Sequence, residues 1–216
     1  MDTPYWQKFT ALAKSLASSP RDAVAWARHL PVWGRRPSDL ELPWWSYGAI
    51  RRYGELLRPT HRVFEYGSGG SSFFTARRAA SVLSVENDPA WHQLVTGFAQ
   101  QRKLANLTCE LHLLQDDQLA TFQASTFCRR VTSGLWDVII IDCHCGFQSG
   151  RYGITRPTAF AASLPQVNHG GFLILDDSWM YPELLAPRAG WIIKEYIGTG
   201  PCRYGVTSTA VFQREA

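Results

Sequence analysis

Arg62-Val63-Phe64-Glu65-Tyr66-Gly67-Ser68-Gly69-Gly70-Ser71-Ser72 decides how the rest of the chain is read. A short apolar run ends in an acid, passes a glycine-rich turn and enters Phe73-Phe74-Thr75-Ala76-Arg77-Arg78-Ala79-Ala80, whose pattern predicts a helix. Strand, glycine turn and helix form the opening unit of a doubly wound α/β domain. Glycine suits the turn because it accepts positive φ and lets a ligand approach the backbone. The first amides of the helix and the positive end of its dipole then point into the same space.

The spacing narrows the ligand. Dinucleotide sites favour G-x-G-x-x-G/A, and the third small position falls here on Ser72. Glu65 precedes the first glycine by two residues, so it stands at the carboxyl end of the first strand, where a carboxylate accepts from a cationic amino group. Ser81-Val82-Leu83-Ser84-Val85-Glu86 predicts a second strand, again ending in an acid. Glu86 lies about twenty residues beyond Gly67, where nucleotide-binding α/β folds place the acid that takes both ribose hydroxyls. The competing duty, capping the next helix, is better filled by Asp88 in Asn87-Asp88-Pro89.

Downstream, Pro89 to Lys103 predicts a helix with Trp91, Leu94, Val95 and Phe98 on one face. Leu107 to Leu114 alternates as a strand does and runs into Gln115-Asp116-Asp117. Gly134-Leu135-Trp136-Asp137-Val138-Ile139-Ile140-Ile141-Asp142 reads as a central parallel strand buried on both faces, with Asp142 at the end where open α/β sheets bind ligands. The polar loop from Cys143 to Gly153 carries His144, a candidate general base because its reference pKa lies near neutrality. A histidine merely satisfied within the loop is the alternative. Arg151 and Tyr152 are candidates for holding an anionic or hydroxylated acceptor, and the C-x-C spacing of Cys143 and Cys145 is not a usual zinc pair.

A helix from Thr155 to about Val167 leads to Gly170-Gly171-Phe172-Leu173-Ile174-Leu175-Asp176-Asp177, a strand with paired acids at its tip. Trp191 to Ile197 and Val206 to Phe212 are two more strands with no helix between them, which predicts a terminal antiparallel pair. A nicotinamide-binding domain would continue instead with parallel βα units.

Residues 1–58 read as a helical cap packed on a core at 59–216, the whole forming one compact domain. In the cap, Tyr5, Phe9, Leu12 and Leu16 have helical spacing, and Asp22 opens a second helix. Pro43 starts a third through Trp44, Trp45 and Tyr47 to Tyr53. Those aromatics either line an acceptor pocket or pack the cap on the sheet.

At 216 residues, 45% hydrophobic and 19% charged, the composition is that of an ordinary globular protein. The net charge of +4 is mild, and the arginine pairs are scattered as on solvated helix faces, which argues against a nucleic-acid footprint. No apolar run is long enough to cross a membrane and no signal peptide is evident. Five cysteines lack the spacing of a disulfide framework, so reduced thiols and a cytoplasmic location are expected.

Taken together, Phe64 to Ser72, Ser84-Val85-Glu86-Asn87-Asp88-Pro89, Asp137 to Asp142 and Gly170 to Asp177 resemble the motifs of the class I S-adenosylmethionine-dependent methyltransferases, in order and in spacing. The resemblance covers Phe64 to Phe212 and departs from the usual pattern at Ser71, where many members have a third glycine. It implies a Rossmann-like, mostly parallel sheet and S-adenosyl-L-methionine as cofactor. Glu65, Gly67, Ser68 and Gly69 would hold the methionine portion, Glu86 the ribose and Asp116 the adenine, with Asp117 as alternative helix cap. Asp142 and His144 would serve the acceptor. Asp142, Asp176 and Asp177 resemble the cation ligands of small-molecule O-methyltransferases, implying a Mg2+ site, although paired acids also occur in members without metal. The expectation is therefore methyl transfer to a small molecule, at oxygen, with a homo-oligomer left open. The alternatives are a nicotinamide-dependent oxidoreductase and a non-catalytic cofactor-binding module of the same fold.

Overall fold

The computed structural model describes residues 5–30, 34–114, 119–143 and 153–216. Seven strands form one sheet: β1 Arg62–Tyr66, β2 Ser81–Glu86, β3 Leu107–Leu111, β4 Trp136–Ile141, β5 Val167–Asp176, β6 Trp191–Gly198 and β7 Thr207–Arg214. Their order is β3-β2-β1-β4-β5-β7-β6. Strands β1 to β5 pair in parallel, whereas β7 runs antiparallel between β5 and β6. The chain thus winds outward from β1 in one direction, then returns to lay β4 on the other side of β1. This reversal opens a crevice at the carboxyl ends of β1 and β4.

Apolar side chains alternate across the central strands, as a period of two requires. Val63, Val138, Ile140, Phe172 and Ile174 face one layer, and Phe64, Tyr66, Ile139, Ile141, Leu173 and Leu175 face the other. The unbroken run Val138 to Ile141 follows from that arrangement, since a strand covered on both sides has no solvent face to keep polar. The first layer contains helices α3 Tyr47–Leu56, α4 Gly70–Ala76 and α5 Pro89–Gln101. The second contains α6 Leu119–Ala124, α7 Thr126–Arg129 and α8 Thr155–Ser163.

Several element boundaries differ from the sequence expectation. The second helix, α2, spans Pro20–Arg28 because Ser19, and not Asp22, caps it by accepting from the Asp22 amide. Asp22 instead turns inward to pair with Arg51 on α3. The third helix starts at Tyr47, since the Ser46 hydroxyl accepts the Ala49 amide and sets the first turn there. Helix α4 starts at Gly70 and includes Ser71 and Ser72. Strand β3 stops at Leu111, and α8 ends at Ser163, after which Leu164–Gln166 tightens into a single 3-10 turn around Pro165.

Residues on either side of position 58 share one core, because Trp45, Ile50, Tyr53 and Leu57 are buried against Val63, Phe73 and Phe172. Ala25 and Trp26 of α2 pack against the shared core, while the first helix, α1 (Tyr5–Ser18), and α2 also meet the β6–β7 connection. There the Trp26 indole donates to the Arg203 carbonyl at 2.8 Å and the Ser15 hydroxyl accepts the Thr199 amide at 3.1 Å. Of the helically spaced apolar residues of α1, Phe9 is 67% exposed, while Leu12 is buried. No helix among the described residues is long and apolar enough to cross a membrane.

Candidate active site

A cleft of about 1070 Å³ opens at the carboxyl ends of β1, β2, β4 and β5. The glycine turn forms its floor. Gly67 has φ +87, and a Cβ there would stand 2.6 Å from the Asp142 carbonyl oxygen, so only glycine lets the tips of β1 and β4 lie side by side. At Gly70 the close neighbours are the carbonyls of Leu42 and Pro37, which rest where a Cβ would be. The missing side chain at that position therefore admits the segment between α2 and α3, which covers the turn. Glu41 fastens this segment by pairing with Arg77 at 3.0 Å and Arg102 at 2.9 Å.

Glu65 lies beneath the turn, fully buried, accepting from the Ser71 and Ser72 hydroxyls. Burial pushes its pKa up to about 8, although both hydroxyls act in the opposite direction. Its side chain is not part of the cleft wall, whereas Ser71 is. The sequence expectation had Glu65 facing an amino group directly, with Ser71 as a departure from pattern. The structure links the two: the serines provide the hydrogen bonds that an acid buried at this depth requires. Ser72 also accepts the Gly69 amide at 3.0 Å, so that amide is satisfied within the turn.

Gly67, Ser68, Gly69 and Glu86 do converge on the cleft. One Glu86 oxygen accepts the Asn87 and Asp88 amides at 2.8 and 3.0 Å, and the other accepts the Ser68 hydroxyl at 2.8 Å. These contacts fix the carboxylate with an edge toward the cleft. Asp88 caps α5 by accepting from Ala90 and Trp91, which leaves Glu86 free of that duty. Trp91, expected only on the apolar face of α5, lines the cleft, and its indole donates to the Ser68 carbonyl at 2.6 Å. The helical spacing of Trp91 hid this role, because a residue on an apolar stripe looks the same whether it meets core or ligand.

At the other end, Asp142 accepts from the Trp45 indole at 3.1 Å and from Arg156 at 3.2 Å. Burial raises the Asp142 pKa, and Asp177 adds to this, while Arg156, Trp45 and Arg203 pull it down. Trp45 is thus both core and site, Trp44 stands half-exposed at the cleft mouth, and Tyr47 is buried with its hydroxyl 3.0 Å from His29 Nδ1. Arg35, Arg36 and Arg203 also line the mouth. The sequence assigned the Arg35-Arg36 pair to a solvated face, since nothing local marks the fold that brings it to the cleft. Asp116, Asp117, His144, Arg151 and Tyr152 lie outside the described residues.

The residues expected to hold Mg2+ do not fit a divalent cation. Arg156 stands among them, its guanidinium donating to the carboxylates of Asp142 and Asp177 and to the Asp176 carbonyl at 2.6 Å. The Asp176 carboxylate accepts from Thr209 at 2.7 Å, and Asp177 accepts from Thr207 at 2.9 Å and the Trp179 indole at 3.1 Å. Mg2+ requires hard oxygen ligands in near-octahedral geometry, and here both oxygens of Asp142 and Asp177 and one of Asp176 are engaged by protein donors. Among the described residues no trio of His, Cys, Asp or Glu side chains converges as metal ligands.

No protein-family model and no curated protein matches the sequence. Solved structures do match in fold. The O-methyltransferase TomG from Streptomyces achromogenes, involved in tomaymycin synthesis and solved in complex with SAM, superposes with a TM-score of 0.57 at 12% identity over 97% of this chain and 99% of its own. An O-methyltransferase from Bacillus cereus in complex with SAH gives 0.57 at 13% identity over 95% and 91%. An rRNA methylase from Streptococcus thermophilus gives 0.57 at 10% identity over 78% and 96%. With β7 antiparallel between β5 and β6, the chain has the Rossmann-like fold of the class I S-adenosylmethionine-dependent methyltransferases.

Proposed function

We propose that the chain is an S-adenosylmethionine-dependent methyltransferase acting on an oxygen of a small molecule. The observation that carries this is the pairing of Gly67-Ser68-Gly69 with the fixed Glu86 carboxylate in one cleft. Glu86 has one acceptor position left, on the oxygen that Ser68 also reaches, and an orientation set by two main-chain amides, which suits a ribose hydroxyl. Ser68 and the Trp91 ring frame the same space, and Glu65 acts from below through Ser71. At about 1070 Å³ the cleft accommodates a nucleoside amino acid and a small acceptor together.

When bound, the cofactor supplies an electrophilic methyl carbon on a sulfonium. The chain's own work is to align an acceptor with that carbon, which is the larger part of the acceleration in a displacement of this kind. Asp142, at the tip of β4 beside the glycine turn, is the group we assign to the acceptor proton, its basicity raised by burial. Trp45 and Arg156 hold its two oxygens in place. His144 is retained as an alternative base and Asp116 as the adenine acceptor. Residues 1–58 serve in this proposal as the cover of the cleft, and the free thiols of Cys109, Cys128 and Cys202 are compatible with a cytoplasmic protein.

A nicotinamide oxidoreductase is not favoured, because its sheet would continue with parallel βα units where this chain places the antiparallel β7. Calorimetric titration with S-adenosylmethionine tests the proposal. Binding in the wild type that Glu86→Ala abolishes supports it, and no heat in either protein defeats it. A methylated product from a panel of hydroxylated small molecules, set against structured RNA, then separates the proposed acceptor class from a nucleic-acid one.

A further inference from the structure

The tips of β4 and β5 bring Asp142, Asp176 and Asp177 together, Asp176 buried and the other two partly buried, and acids so close require a cation. Arg156, at the start of α8, is that cation. Its side chain is 6% exposed, and it makes four hydrogen bonds across the group. Nε donates to the Cys143 carbonyl at 2.8 Å, Nη1 to the Asp176 carbonyl at 2.6 Å and to Asp177 at 3.4 Å, and Nη2 to Asp142 at 3.2 Å. A guanidinium has five N–H groups, and no acceptor among the described residues takes the fifth, the second N–H of Nη2; Arg156 is one of the residues that line the cleft. Burial works against the charge on Arg156, but Asp142, Asp176 and Asp177 more than offset it and keep the group protonated.

A second guanidinium approaches from the cleft mouth. Arg203 stacks on Trp44, with its Cζ 4.8 Å from the ring centroid, and its Nη2 donates to the Trp44 carbonyl at 2.7 Å. The Arg203 Nε is buried, and no described residue accepts from it. Both arginines act on Asp142 from different elements. A dication entering this group would meet one fixed positive charge within hydrogen-bond distance of its ligands and a second nearby, and would have to displace the donors of Asp177.

We infer that Arg156 takes the place of a divalent cation at the acceptor end of the cleft, so that this site orients its acceptor through guanidinium N–H groups and needs no metal. The inference deepens the methyltransferase proposal and rests on it for the word acceptor, but the occupancy of the acid group is tested separately. Arg156 is a positioning residue here: it holds Asp142 and offers its remaining N–H to an acceptor oxygen.

Manganese serves as the probe. Wild-type protein is titrated with Mn2+ alone while the free ion is followed by electron paramagnetic resonance. The expected result is that the free signal tracks total Mn2+ through one equivalent. Binding of one equivalent that Asp142→Asn abolishes would overturn the inference. Arg156→Ala removes the resident cation and is expected to create a Mn2+ site, with at least a tenfold gain in affinity. Arg156→Lys keeps the charge and is expected to gain none, a contrast that a purely structural role for Arg156 would not produce. If Arg156→Ala fails to fold, the wild-type titration and Arg156→Lys decide alone: a Mn2+ site in either one sinks the idea. S-adenosylhomocysteine is titrated into the same wild-type sample. Loss of that heat breaks the functional proposal, whereas Mn2+ uptake with that heat retained breaks only the metal inference.

Discussion

The two ends of the cleft are built in opposite ways. The glycine-turn end comes from one stretch of chain: Glu65 to Ser72 and Glu86 to Trp91 lie within 27 residues of one another and are joined by bonds such as Ser68 to Glu86 and Trp91 to Ser68. The Asp142 end draws on distant parts of the chain as well. Asp142 meets Trp45 across 97 positions, and Arg203 reaches Trp44 across 159. Local construction fixes one ligand-binding pattern in a readable motif. Distant construction brings donors to Asp142 that no motif announces: Trp45 from the segment before β1, and Arg203, which acts on it from the β6–β7 connection.

The largest effect should come where the ends touch. Gly67→Ala places a Cβ against the Asp142 carbonyl at a backbone angle that alanine tolerates poorly, and should cost about 2–5 kcal/mol. Urea denaturation measures it, and a cost below about 1 kcal/mol would show that β1 and β4 separate more easily than this contact implies.

Next comes pH. With its pKa at about 8 in place of 4.5, Glu65 keeps its proton in the folded chain over a window where the unfolded chain has lost it. Stability should therefore fall as pH rises from about 4.5 to about 8 and level off above, by on the order of a few kcal/mol. Glu65→Gln should flatten this slope, because glutamine has no proton to lose. A slope unchanged in the variant would assign the effect to Asp142 and Asp176, the acids with raised pKa at the other end.

Glu86→Gln is milder. The amide oxygen can still accept the Asn87 and Asp88 amides, but the NH2 would face Ser68 and the cleft with donors where an acceptor stood. S-adenosylhomocysteine affinity should drop by roughly 10–100-fold by calorimetry with little change in stability. Equal loss in both readouts would mean that Glu86 serves the turn and not a ligand.

Trp45→Phe removes the indole donor to Asp142 and should cost about 1 kcal/mol. It should also shift the Asp142 pKa further upward, seen as a move of the acidic limb of the pH–rate profile to higher pH once an acceptor is known. Gly97→Ala lies outside both ends, in α5 with open space around its Cα, and should stabilise by roughly 0.5–1 kcal/mol without altering ligand binding.

The sheet was legible where a rule of physics acts through neighbours in sequence. Period-two burial, glycine at a tight strand-to-helix turn and apolar runs in central strands locate β1, β2, β4 and β5 and the antiparallel end of the sheet. Helix starts were misplaced where a serine cap competed with an acid or a proline, because several residues within one turn can set the first amide, and packing selects among them. Ser19 and Ser46 won this competition while Asp22 and Trp45 turned inward to Arg51 and Asp142.

In the site, the sequence by itself determined Gly67, Ser68, Gly69 and Glu86, since a strand tip and a crossover of standard length put them together whatever the rest of the chain does. Only the tertiary structure decided that Glu65 is buried under two serines, that Trp91 faces the cleft, and that Arg156 and Arg203 converge on Asp142. The physical reason is that charge and burial act through space: the state of a carboxylate depends on the nearest guanidinium, and nothing along the chain records which one that will be.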